Sequence, residues 1–298
     1  MTKDISKTGA DNPRAILFAT DLSARCDRAL DRAALISSER GKRLVILHAI
    51  EDGPSASDML DSQADDGTHD PVDQVRRDLI REVSDVVQAA TVVIERGTAA
   101  ESITRAARHE GAELIVLGIA RGDLLGRYIL GNTVDQLIRG APAPLLIVKA
   151  RARAPYRHIV VATDFSESSR QALETAMRLF PQRRVMVFHA FEPMMEGLIS
   201  DVGGYRRDAR AAALAEGARF INETPVPDGA LAPELHVERG EPAQLLRNYV
   251  SRGDADLVVI GSHGRSALFE IFVGSVAKRI IEHLPCDALL VRDRQAVP

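Results

Sequence analysis

The residues best suited to chemistry lie near the end of the chain. Gly261-Ser262-His263-Gly264-Arg265 leaves the apolar run Leu257 to Ile260, and Gly274-Ser275 follows, giving the pattern G-x2-G-x9-G-S. Such spacing suits an anion. Glycines let a backbone turn tightly and approach a ligand closely, and the free amides and positive dipole end of a following helix attract phosphate oxygens. Ser275 either offers its hydroxyl to that anion or caps the helix it begins. A glycine-rich turn with an ordinary serine cap accounts for the same residues without any ligand, and at this point both readings stand.

Upstream, Ala162-Thr163-Asp164-Phe165-Ser166 ends one apolar run and His189-Ala190 ends another. Asp164 at a strand-to-helix junction either faces a ligand or, with Ser166, orders the turn and caps the next helix. His263 is a ligand contact or a polar loop residue. His48 and His189 read as hydrogen-bonded strand-end histidines. The two cysteines, Cys26 and Cys286, have neither metal-ligand nor redox spacing and read as reduced, buried thiols.

These motifs are positioned by a repeat. ILFATDLS at 16–23 returns as IVVATDFS at 159–166, so Asp21 and Asp164 stand 143 residues apart. Gly118 and Gly261 keep that offset, as do Gly131 and Gly274, and Glu95-Arg96-Gly97 and Glu238-Arg239-Gly240. His48 and His189 differ by 141, so small compensating length changes lie between residues 49 and 95. Each copy alternates short apolar runs with helical periodicity. In the first, strands fall at 16–19, 44–49, 91–94, 114–117 and 145–148, and helices at 27–40, 72–90, 100–109 and 133–139. Pro71 suits the first turn of the second helix. Strands alternating with helices predict a parallel sheet covered on both faces. The joining piece Ala150 to Pro155 is short, basic and contains proline, which predicts copies packed together. Residues 51–70 carry seven acidic side chains and little apolar content, the signature of a solvated loop; His69 among them has no metal-ligand spacing.

Composition excludes several partners. The chain of 298 residues has 45% hydrophobic residues, 4% aromatics and no tryptophan, so two aliphatic cores are expected. A net charge of −4 provides no basic field for nucleic acid or an anionic membrane. The opening residues MTKDISKTGADNPR are polar and lack a signal-type apolar core, and no run approaches the roughly 20 residues that span a bilayer, so a cytoplasmic location is expected.

With ATDFS, HA, GSHG and GS in this strand-helix order, both copies, over 14–149 and 157–292, resemble the ATP-binding branch of the universal stress protein family. The resemblance implies two tandem five-stranded parallel-sheet α/β domains, Rossmann-like and adenine nucleotide hydrolase-like, spanning 12–150 and 156–298. In each, the first and fourth strands are neighbours and ligands bind beyond the strands' carboxyl ends. It implies ATP, with or without magnesium, in the second domain. Ala162, Thr163 and Asp164 would lie beside the adenosine, and Ala190 would reach adenine through its backbone. Ile260, Gly261, His263 and Gly264 would line ribose and phosphates; Gly274, Ser275 and Val276 would hold the phosphates; Arg265 would add charge. The first copy is degenerate: Arg121 replaces the second motif glycine and Asn132 the serine, although Thr133 offers a hydroxyl one residue late. The function implied is nucleotide-dependent regulation in a stress response. A nucleotide-free scaffold and a slow ATPase are the alternatives, and His263 and Asp164, the two groups able to position water, have no orienting partner in the sequence. The family pairs its last strands edge to edge, so Leu145 to Val148 and Ala288 to Val291 are expected to pair within the chain; a homodimer is left open.

Overall fold

The computed structural model describes residues 14–50, 71–83, 90–119, 131–192, 200–262 and 275–292. In the first half, β1 (Ala15–Thr20), α1 (Asp27–Arg40), β2 (Arg43–Ile50), α2 (Pro71–Val83), β3 (Thr91–Arg96), α3 (Ala99–His109), β4 (Ala112–Gly118), α4 (Asn132–Gly140) and β5 (Leu145–Val148) alternate. The second half repeats them as β6 (His158–Ala162), α5 (Glu167–Leu179), β7 (Arg184–Phe191), α6 (Val202–Glu223), β8 (Glu234–Arg239), α7 (Pro242–Arg252), β9 (Leu257–Gly261), α8 (Ser275–His283) and β10 (Asp287–Val291). The helix expected over 72–90 runs from Pro71 to Val83, residues 84–89 are outside the described residues, and Ala90 is not helical. The acidic stretch 51–70, with His69, also lies outside them.

All ten strands form one sheet in the order β3-β2-β1-β4-β5-β10-β9-β6-β7-β8. Within each half every pairing is parallel, and β1 lies between β2 and β4 as β6 lies between β7 and β9. The strands are near-continuous apolar runs because helices cover both faces. Alternate residues accordingly enter two cores: Ile16 and Phe18 join one, Ala15 and Leu17 the other. Both cores continue across the junction between halves.

That junction is the antiparallel pair β5–β10, with Leu146 opposite Leu289 and both fully buried. Pairing removes two apolar edges from solvent. A polar cluster lies beside it. The buried Asp287 carboxylate accepts hydrogen bonds from the Lys149 amide at 2.8 Å, the Ala150 amide at 2.9 Å and the Tyr156 hydroxyl at 2.5 Å. Arg32 Nε stands 3.4 Å from the same carboxylate, a charge contact without hydrogen-bond geometry, while its Nη1 donates to the Ala154 carbonyl and its guanidinium lies 4.0 Å over the Tyr156 ring. Lys149 Nζ, buried, donates to the carbonyls of Ile281 and Leu284 at the end of α8. Burial lowers its pKa to about 8, against the raising influence of Cys286 and Asp287. The same burial pushes the Cys286 thiol up to about 12, and both cysteines are free and buried.

Candidate functional site

Each half turns from its first strand into its first helix in the same way. Thr20 Oγ1 accepts from the Leu22 amide and Asp21 Oδ1 from the Ser23 amide; Thr163 Oγ1 accepts from Phe165 and Asp164 Oδ1 from Ser166. These two short loops force the residue between them into the left-handed region, Leu22 at φ 62° and Phe165 at φ 61°. Such a backbone is costly for a residue other than glycine and persists only when its surroundings hold it. Phe165 is held by packing on His189, ring centroids 4.2 Å apart, and on Phe220. The exposed Leu22 has the hydrogen-bonded loops instead. Both strand-end histidines brace the turn: Nδ1 of His48 lies 3.0 Å from the Thr20 carbonyl and Nδ1 of His189 lies 2.9 Å from that of Thr163. A carbonyl can only accept, so Nδ1 carries the proton in both.

The aspartates then differ. Asp164 accepts from the Ser169 hydroxyl at 2.8 Å, and Ser166 caps α5. Asp21 instead meets Arg25, at the position of Ser168, and Cys26, at that of Ser169. Burial raises the Asp21 pKa, but hydrogen bonds from Arg25, Ser23 and Cys26 outweigh it and hold the carboxyl well below its usual range. Burial, with the neighbouring carboxylate, pushes the Cys26 thiol up.

Gly118 and Gly261 end the fourth strand of each half. A Cβ on Gly118 would stand 2.8 Å from the Arg25 carbonyl oxygen; one on Gly261 would stand 2.6 Å from Ser168 Oγ and 2.8 Å from its carbonyl oxygen. Both are glycines because the turn into α1, and in the second half the first turn of α5, approaches too closely for a side chain. Beyond Gly118 a cavity of about 380 Å³ opens at the ends of β1 and β4. Ala19, Thr20, Asp21, Leu117 and Gly118 form its strand side, Ala49 its flank, and Gly131 and Thr133 its helix side. At the offset of 143, or 141 for Ala49, these are the counterparts of Ala162, Thr163, Asp164, Ile260, Gly261, Ala190, Gly274 and Val276. The cleft lies where the order of strands reverses, beyond their carboxyl ends, where ligands of open α/β sheets bind. The N-cap of α4 is Gly131, which has no side chain to offer, and the first turn of that helix lines the cavity.

In the second half Ala162, Thr163, Asp164, Ala190, Ile260 and Gly261 converge at the ends of adjacent strands β7, β6 and β9. Ser275 and Val276 begin α8. His263, Gly264, Arg265 and Gly274 are outside the described residues, as are Ala120 and Arg121 of the first half. Among the described residues no group of metal-ligating side chains occurs, and no helix is long and apolar enough to cross a membrane.

The description "Universal stress protein family" matches residues 13–149 and, separately, 155–292. The chain belongs to the universal stress protein family. A universal stress protein of Mycolicibacterium smegmatis is 26% identical over 292 residues, covering 94% of this chain and 97% of the relative. One from Synechocystis is 30% identical over 152 residues, covering 98% of itself but 46% of this chain, as a single copy of the repeat would. The crystal structure of a universal stress protein from Archaeoglobus fulgidus superposes with a TM-score of 0.62 at 18% identity, covering 93% of this chain and 98% of that one, which establishes the shared fold. Among universal stress protein elements, the sequence reading missed Arg25. It is the place where the repeat exchanges serine for a cation beside a motif aspartate, and that exchange was the available signal.

Proposed function

We propose that this universal stress protein is a cytoplasmic, nucleotide-responsive regulator that binds ATP in its second half, with magnesium as companion where the triphosphate needs one. Asp164, Thr163 and Ala162 would flank the adenosine and Ala190 the adenine. Ile260, Gly261, His263 and Gly264 would line ribose and phosphates, and Arg265, Gly274, Ser275 and Val276 would receive the phosphates. ATP supplies the charge, and the chain supplies amides, a helix N-terminus and a shaped hollow. The supporting observation is the cavity of the first half, because counterparts of eight of these residues already leave ligand-sized room there. Binding would stabilise the fold by mass action, about 2.7 kcal/mol at a ligand concentration 100 times Kd. Calorimetry with ATP on the full chain tests this. Saturable binding abolished by Gly264→Arg is expected, and no heat and no thermal shift with millimolar ATP would remove the proposal.

One observation favours a nucleotide-free scaffold: Gly261 has a sufficient packing reason in its contact with Ser168. Purified protein carrying no adenine absorbance, together with failed titration, would favour that reading. A slow ATPase is the least supported, since Asp164 is engaged by Ser166 and Ser169.

A further inference from the structure

The cavity of the first half differs chemically from the site expected in the second, and the difference centres on Arg25. Asp21 is saturated. Its Oδ1 accepts from the Ser23 amide, the Ser23 hydroxyl and Cys26 Sγ, and its Oδ2 accepts twice from Arg25. A carboxylate has about four lone-pair positions, so Asp21 has no acceptor left for a ligand hydroxyl. Arg25 uses Nε and one terminal nitrogen on Asp21. It lines the cavity with its side chain half exposed, and its remaining N–H groups have no partner among the described residues. Thr133, in the first turn of α4, also lines the cavity, with a hydroxyl that has no partner among the described residues, and the N-cap of that helix, Gly131, has no side chain to offer. Donors therefore come to the space from two elements. Between them the walls are Leu47, Ile103, Leu117, Ile119, Val134 and the alanines.

We propose that the first-half cavity binds a small organic anion, one phosphate or carboxylate head on a short apolar body, and that Arg25 determines this choice. The balance of donors and acceptors carries the inference. A ligand presenting hydroxyls toward Asp21 finds no acceptor there, and one presenting an anionic oxygen finds guanidinium N–H groups whose own counter-charge is already in place. Pairing with Asp21 also holds the planar fork still, so less rotamer freedom is lost on binding. A cavity of about 380 Å³ is at the small end of ligand pockets, which run from about 300 to 1,000 Å³. The inference is independent of whether ATP occupies the second half.

The test is titration calorimetry on the full chain at low salt with phenyl phosphate and, separately, benzoate, each with and without saturating ATP. Saturable binding of either probe, undisturbed by ATP, is expected. Binding of phenyl phosphate alone identifies a phosphate head, and binding of benzoate alone a carboxylate. Arg25→Gln should weaken the bound probe about tenfold or more, the usual worth of a charge-assisted contact, and Thr133→Val should weaken it several-fold; neither should alter ATP affinity. If Arg25→Gln fails to fold, Arg25→Lys and Thr133→Val carry the test, because lysine keeps the charge but loses the fork. No binding of either probe up to about 10 mM, a free energy near −2.7 kcal/mol, would overturn the proposal. So would binding unaffected by the variants, or displacement by ATP. Failure to bind ATP with probe binding intact would count against the nucleotide reading alone.

Discussion

Replacing Asp287 by alanine should do as much damage as truncating a large apolar side chain in the sheet. The carboxylate is fully buried and receives three hydrogen bonds, two from main-chain amides and one from a phenol, with Arg32 beside it. Its removal leaves those donors and a guanidinium buried without their acceptor. Removing one partner of a buried charge pair costs about 3–5 kcal/mol, set against a total stability of about 5–15 kcal/mol for a typical native protein. Urea unfolding followed by circular dichroism measures it: with a slope near 3 kcal/mol per molar, the midpoint should fall by about 1–2 M. Three of the groups around Asp287, those of Lys149, Ala150 and Arg32, belong to the first half and the linker, while Asp287 opens the last strand of the second half. The variant should therefore also loosen the halves and split one transition into two. Asp287→Asn keeps one acceptor oxygen and should lie between wild type and alanine. A midpoint within about 0.3 M of wild type, with a single transition, would refute the claim that this cluster fastens the halves.

Three further outcomes follow from the same geometry. Gly261→Ala places a methyl 2.8 Å from the Ser168 carbonyl oxygen and should cost about 1–3 kcal/mol by overpacking; Ser168→Ala should not rescue it, since the carbonyl remains, and thermal melting of the double variant decides. Lys149 has its folded pKa lowered by burial to about 8, so between pH 8 and the ordinary lysine value near 10.4 the unfolded chain binds the extra proton. Stability relative to Lys149→Met should rise with pH through that window, and parallel urea midpoints from pH 7 to 10 would contradict it. Leu146→Lys with Leu289→Lys puts two like charges opposite one another in the buried β5–β10 ladder. Each leucine forfeits about 1.5–3 kcal/mol of burial, and small-angle scattering should show an expanded particle; unchanged dimensions would mean the halves are held elsewhere.

Much of the architecture was legible because a parallel sheet covered on both faces writes its strands as apolar runs. The run Ile16 to Ala19 and the repeat at Ile159 announced β1 and β6, and the offset shared by Gly118 and Gly261 carried the order of elements from one half to the other. The last-strand pairing was reachable from the family resemblance and two apolar edges. The turn residues were legible too, because Thr-Asp-x-Ser at a strand end has a local explanation: side chains bonding to amides two residues on. The polar cluster was not legible. Lys149 closes an apolar run where a solvated lysine would be ordinary, and Arg32 sits within a helix whose other buried residues are Ala29, Ala33, Ile36 and Ser37. Their partner Asp287 is more than a hundred residues away in sequence, and nothing local marks a charge as buried. Gly261 was read for its ligand-facing freedom, while its tightest constraint comes from the helix behind it.

One signal was nonetheless present, and it explains why the two halves are not equivalent. At the offset of the repeat, Asp287 corresponds to Pro144, Arg32 to Thr175 and Tyr156 to Pro13. Yet the same helix keeps its alanines, with Ala29 and Ala33 matching Ala172 and Ala176, all four fully buried. A duplicated fold placed back to back has near two-fold symmetry except where the chain crosses from one copy to the other. The crossing supplies Lys149, Ala150, Ala154 and Tyr156 on one side only. There a buried carboxylate finds enough donors to offset its desolvation. Arg25 follows the same logic on a smaller scale. Where the second half has Ser168 and Ser169 beside Asp164, the first has Arg25 and Cys26 beside Asp21, and that carboxylate serves as a counter-ion with no acceptor position left for the cavity it faces. Departures from the repeat at positions the fold requires in both copies therefore mark where the two halves make different contacts.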